Sequence, residues 1–143
     1  MYHLKKFESY NDGLEEFSDE FLSQFEIEKE GNKYFVKFHN YFNQFKSLES
    51  LKFYIRSKYY VYYGDNIAEF KKLINHRTAN LFLDDNWLIK KLISYNKFKE
   101  VHLLLNAKNI YRYGFASKPS EKSYLLSLCN TDKMRELISE RLK

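Results

Sequence analysis

The side chains able to do chemistry are few and scattered. His3, His39, His76 and His102 show no paired spacing that would bring two imidazoles to one metal. Glu15, Glu16, Asp19 and Glu20 lie close enough for acid–base work. No His or Cys joins them at ligand spacing, so a solvated helix face is the expected reading. The chain has no glycine-rich phosphate loop and no nucleophile elbow. An enzyme is therefore not expected, nor is any catalytic residue, metal ligand or cofactor. Cys129 is the only cysteine, so no intrachain disulfide can form and a reducing compartment fits. It is expected in a helical stretch, as a core residue.

Two aromatic–basic stretches offer binding chemistry instead. Residues 53–63, FYIRSKYYVYY, hold five tyrosines with Arg56 and Lys58. Such rings stack on bases while cations hold phosphates. They also make protein hot spots, since Tyr covers much area at low entropy cost. A third reading makes the stretch the core-facing end of a helix that stops at Gly64. On that reading Tyr59 and Tyr62 continue an inward stripe from Leu51 and Ile55, leaving Tyr54, Tyr60 and Tyr63 as candidates for exposure. Residues 110–120, IYRYGFASKPS, repeat the chemistry with Tyr111, Arg112, Tyr113, Phe115 and Lys118. A loop of this length is where function concentrates, though it also suits a cap packed on neighbouring helices.

The elements that must position these residues follow from periodicity. Residues 2–24 read as helix, with Leu14, Phe17, Phe21 and Leu22 on one stripe. Residues 25–38 read as a β-hairpin turning at Lys29-Glu30-Gly31-Asn32. Two strands alone are unstable in water. The following segment, FKSLESLKFYI, supplies a covering helix with Ser47 as N-cap and a stripe of Leu48, Leu51 and Ile55. Residues 80–105 then read as a loop, a first helix over 87–94, a connection at Tyr95-Asn96-Lys97, and a second helix over 98–105. Leu88, Ile89, Leu92 and Ile93 stripe the first helix; Phe98, Val101, Leu104 and Leu105 stripe the second. Asp84-Asp85-Asn86 stand where N-cap residues belong. Helices this short are marginal alone, so each must bury its stripe on a neighbour, as stacked repeats do.

The second helix has copies. DNIAEFKKLI (65–74) matches NKFKEVHLLL (96–105), pairing Ile67 with Phe98, Phe70 with Val101, Leu73 with Leu104 and Ile74 with Leu105. DKMRELI (132–138) puts Met134, Leu137 and Ile138 in the same places, at offsets of 31 and then 33 residues. With Thr78-Ala79-Asn80-Leu81 and Asp85-Asn86-Trp87-Leu88-Ile89, this pattern resembles the ankyrin-repeat family, particularly its divergent viral members. The resemblance covers about residues 57–143. The family's threonine-proline-leucine-histidine start is missing, and Leu88 and Leu92 replace its small alanine. It implies a stack that binds through turns and first-helix starts. Here those are Phe82, Asp84, Trp87, Lys90 and Lys91, then Tyr111, Arg112 and Tyr113. The expected fold class is α+β and mostly α-helical. A helix–β-hairpin–helix region over 1–60 precedes an ankyrin-like stack of helical hairpins over 61–143.

Composition bounds the function. At 44% hydrophobic and 19% aromatic residues, the chain is too apolar for disorder. No apolar run is long enough to span a membrane, and no signal-peptide core follows the first six residues. Residues 1–30 hold three basic and nine acidic residues, whereas the other 113 hold 21 basic and 10 acidic, net +11. A basic body attracts acidic surfaces or nucleic acid, unless the acidic start folds back upon it. Size, absent motifs and heavy use of Asn, Lys, Tyr, Phe and Ile are similar to small phage proteins that block host defences, including anti-CRISPR proteins. The expected function is a non-enzymatic protein-binding module, an inhibitor acting in the cytoplasm of a host cell. Its partner would be a protein or protein–nucleic acid complex with an acidic surface. The alternative is direct nucleic-acid binding through Arg56, Lys58, Lys90, Lys91, Arg112 and Lys118. No membrane partner is expected.

Overall fold

A computed structural model describes residues 14–77, 80–106 and 119–142. The fold class is α+β: helices plus one three-stranded antiparallel sheet. The chain divides into two compact units between Tyr59 and Tyr60, a point inside one helix. No helix among the described residues is long and apolar enough to cross a membrane.

In the first unit, helix α1 is a single turn, Asp19–Leu22, capped by Ser18, whose Oγ accepts from the Phe21 amide at 3.2 Å. The long helix expected over 2–24 is therefore corrected for residues 14–24, while residues 2–13 lie outside the described residues. A turn closed by the Phe17 amide on the Leu14 carbonyl precedes the cap and interrupts the helical path. The expected stripe survives this change, because Leu14, Phe17, Phe21 and Leu22 are all buried.

Strands β1 (Phe25–Glu30) and β2 (Lys33–Phe38) pair with Phe25 opposite Phe38 and Ile27 opposite Val36. Lys29 and Glu30 belong to the strand, so the turn is only Gly31-Asn32. Gly31 has φ +61°, which suits the first position of a type II′ turn and is open to glycine without strain. A third strand, β3 (Tyr41–Phe45), pairs with β2 where only a lead into the helix was expected. Its aromatic residues at 41, 42 and 45 break the period-two pattern, and tertiary pairing decides the strand instead. Phe42 is left exposed on the outer face with the Lys37 ammonium 5.4 Å from its ring.

Helix α2 (Leu48–Tyr63) starts at Ser47, whose Oγ accepts from the Ser50 amide at 3.1 Å, as expected. The ring of Phe25 lies 4.8 Å from Phe38 and 6.3 Å from Tyr54 of this helix, and Phe21 stands 5.1 Å from Tyr59. Burying each such aromatic side chain contributes about 1.5–3 kcal/mol.

After α2, the second unit has α3 (Ile67–Ile74), α4 (Leu83–Ser94), α5 (Phe98–Leu105), α6 (Pro119–Ser127) and α7 (Asp132–Arg141). Helix α5 packs against α3, α4 and α7, and α6 packs on α7. Phe70, Val101 and Met134 are all buried, as are Ile74, Leu105 and Ile138. Several hydrogen bonds span 33 to 36 residues. The Lys97 Nζ donates to the Gly64 carbonyl, Asn130 to the Ser94 carbonyl, Thr131 to Asn96, and Arg141 to Asn106. No strand occurs among the described residues of 67–105.

Three local expectations are corrected here. Asp84, Asp85 and Asn86 do not take the extended backbone of an N-cap. They form a left-handed turn, with φ of 59°, 57° and 61°, ahead of the right-handed part that begins at Trp87. Asp and Asn tolerate this conformation better than other non-glycine residues. The loop expected through Ser120 ends earlier, because Pro119 opens α6, a position where its missing N–H is no loss. Cys129 is buried in the connection between α6 and α7, outside either helix.

Helix α2 ends at Gly64, whose amide donates to the Tyr60 carbonyl at 2.8 Å. A Cβ built on Gly64 would collide with the Tyr60 ring. Gly64→Ala should therefore destabilise the protein by about 1–3 kcal/mol, as overpacking does, read as a lower denaturation midpoint in urea. An unchanged midpoint would show that the ring moves aside freely.

Candidate functional site

The last turn of α2 is fixed from below. Tyr60 is buried, and its hydroxyl donates to the Glu100 Oε2 at 2.9 Å; Glu100 is buried too. Its ring lies 4.9 Å from Phe70 and 5.7 Å from the Lys97 ammonium. Burial, and then the bond to Glu100, hold the Tyr60 phenol well above its usual range, so it remains a donor at neutral pH.

One turn on, the chain emerges. Tyr62 is 36% exposed, Tyr63 is 61% exposed, and Tyr95 from the α4–α5 connection is 45% exposed. The Tyr62 ring lies 6.3 Å from both Tyr63 and Tyr95. Trp87 closes the patch from beneath, edge-on to Tyr62 at 6.0 Å and only 6% exposed. The Lys91 ammonium stands 6.0 Å from the Tyr95 ring. Burial, then the nearness of Tyr95 and Tyr63, raise the Tyr62 phenol, which stays protonated at neutral pH. The result is an aromatic platform whose hydroxyls both donate and accept, the make-up of a protein contact surface.

The expected contact residues fare differently. Trp87 is buried rather than on a free face, which corrects its assignment as an exposed anchor: it supports the platform instead. Its neighbours Leu88 and Ile89 are buried beside it, so α4 is covered over a wider arc than one stripe. Asp84 is likewise buried, and Phe82 is half-buried. Lys90 contacts Asp85 at 3.2 Å and Glu121 at 3.5 Å, and its ammonium lies 4.9 Å from the Tyr124 ring. Tyr111, Arg112, Tyr113 and Lys118 lie outside the described residues.

Of the cations proposed to hold phosphates, Arg56 makes a two-pronged bond to Glu16 at 2.9 and 2.7 Å. That bond holds the Glu16 carboxyl below its usual range, so the pairing is present above ordinary carboxylate pH and is lost as acid titrates Glu16. Lys58 is buried, with its ammonium 4.7 Å from the Phe38 ring and 4.5 Å from Tyr54. Tyr54 and Tyr60, expected as candidates for exposure, are both buried, while Tyr62 is more open than expected. Helix α2 is covered on nearly all sides from Leu51 to Val61, so a one-stripe reading could not sort these rings. Tyr95 was read only as connector; the signal for it was an aromatic residue beside Asn96, which takes φ 56° in the turn.

Among the described residues no group of three or more His, Cys, Asp or Glu could hold a metal ion. Burial also raises the Cys129 thiol, whose Sγ sits 3.5 Å from the Leu125 carbonyl. Cys129 should react with thiol reagents only as fast as the protein opens, and adding denaturant should accelerate labelling. Trp87→Ala should cost about 3–5 kcal/mol in thermal or urea melts, the range of core Trp truncations. A loss under about 0.5 kcal/mol, typical of surface changes, would return Trp87 to the surface. Compared with family models, curated proteins and solved structures, the chain matches none.

Proposed function

We propose that this chain is a non-enzymatic protein-binding module, an inhibitor or adaptor that works by occupying a partner's surface. The observation that carries this reading is the platform of Tyr62, Tyr63 and Tyr95 held over buried Trp87. Exposed tyrosines grouped on a rigid support have the character of interface hot spots. Residues 60–143 hold 15 basic and 9 acidic residues, net +6, which favours a partner with an acidic surface. The free buried thiol of Cys129 suits a cytoplasmic setting, and the composition keeps the phage-inhibitor class as the context we propose.

The finer architecture we propose for the second unit is an ankyrin-like stack of helical hairpins. Its support is twofold: α5 lies against both α3 and α7, and side chains bond across 33 to 36 residues of sequence. That spacing is close to the family period of about 33.

Direct nucleic-acid binding is less favoured, because Arg56, Lys58 and Lys90 are each engaged within the fold. The double variant Tyr63→Ser/Tyr95→Ser should weaken capture of a protein partner by about 2 kcal/mol, roughly thirtyfold, in pull-down and titration. Its melting should change by no more than about 0.5 kcal/mol. Undiminished capture by this folded variant would remove the platform from the interface. Tight, steeply salt-dependent binding to DNA or RNA would favour the alternative.

A further inference from the structure

A second surface lies on the other helices of the same unit. Helices α3 and α5 pack side by side and leave an open groove of about 540 Å³. Its floor is apolar: Ile67 and Ala68 from α3, Phe98 and Leu103 from α5. Ile67 is 37% exposed, a large aliphatic side chain left toward solvent. The polar lining residues are Lys71, Lys99 and His102, and no carboxylate is among the described residues that line the groove. Two cations of helix α7 stand beside the same α5 side chains, the Lys133 ammonium 4.2 Å from the Phe98 ring and Arg141 3.5 Å from the His102 Nε2, although α7 as a whole balances them with Asp132, Glu136 and Glu140.

We infer that this groove seats an amphipathic helical segment of a partner protein, with carboxylates flanking its apolar stripe. The inference rests on the protein-binding reading but uses a surface separate from the tyrosine platform. A valley between two packed helices accepts a third helix at about 8–10 Å, ridge into groove. Such a segment anchors apolar side chains at i, i+3, i+4 and i+7. The rim selects sign: carboxylates beside the stripe meet Lys71 and Lys99, whereas a basic helix meets like charge. An apolar floor offers a phosphate backbone nothing. A small ligand would be poorly enclosed, since small-molecule sites bury some 70–90% of their ligand.

The test is panning of a display library of random peptides about four helical turns long against the full chain. Three variants are panned in parallel: Ala68→Trp, which fills the groove, Lys71→Glu/Lys99→Glu, which reverses the rim, and Tyr63→Ser/Tyr95→Ser. Thermal melts check that each is folded, and the rim variant alters only surface residues. The expected result is enrichment of peptides with helically spaced apolar residues and flanking Asp or Glu. Affinity should fall about tenfold or more on both groove variants and stay unchanged on the platform variant. Failure to enrich any peptide, a basic or uncharged consensus, or indifference to both groove variants would overturn the inference. A consensus lost only on Tyr63→Ser/Tyr95→Ser would overturn it while leaving the platform reading intact.

Discussion

A buried hydrogen bond from the Tyr60 hydroxyl to Glu100 holds the second unit to one arrangement. A carboxyl group taken out of water is costly unless bonded, and Tyr60 supplies that bond. The two residues stand on α2 and α5, and α5 touches α3, α4 and α7. Lys97, just before α5, adds a second tie by donating to the Gly64 carbonyl at the end of α2. This polar pair and Lys97 add direction to the buried stripe of Val101, Leu104 and Leu105 in setting where the central helix sits. The tyrosine platform takes Tyr95 from the turn before that helix, and the apolar groove takes Phe98, Lys99, His102 and Leu103 from the helix itself.

Electrostatics counted from sequence overstates the cations available to a partner. Arg56, Lys58 and Lys90 stand near aromatic residues in the sequence, which made them candidates for phosphate contact. In the fold they do internal work. Lys58 is buried between two rings, Arg56 grips Glu16, and Lys90 joins Asp85 to Glu121. The cations that line an open surface, Lys71 and Lys99, are not among the contacts expected from sequence, because only tertiary packing brings their helices together.

Much of the fold was legible where local chemistry and packing agree. Ser47 capped its helix, and the β1–β2 hairpin turned on Gly31. The matched positions Phe70, Val101 and Met134 proved equally buried. Legibility failed where long-range contacts override local pattern. Strand β3 exists because β2 offers it a partner, and Tyr41 through Phe45 show no alternation that announces it. The left-handed turn at Asp84, Asp85 and Asn86 carries the residue types of an ordinary helix cap, so composition misled. Trp87, Tyr54 and Tyr60 were misplaced for one shared reason: their helices are enclosed on more than one face, and a single-stripe reading exposes whatever lies off the stripe.

If the Tyr60–Glu100 bond holds the second unit to one arrangement, its loss must be felt well beyond position 60. Native-state hydrogen exchange, compared between the wild-type chain and Tyr60→Phe, measures it directly. Leaving Glu100 without its donor should cost about 1–3 kcal/mol, which lowers amide protection by roughly 5- to 160-fold. Helices α3 and α5 should lose protection together, with the end of α2. Unchanged protection in α5, or a loss confined to the residues beside position 60, would contradict that role of the bond.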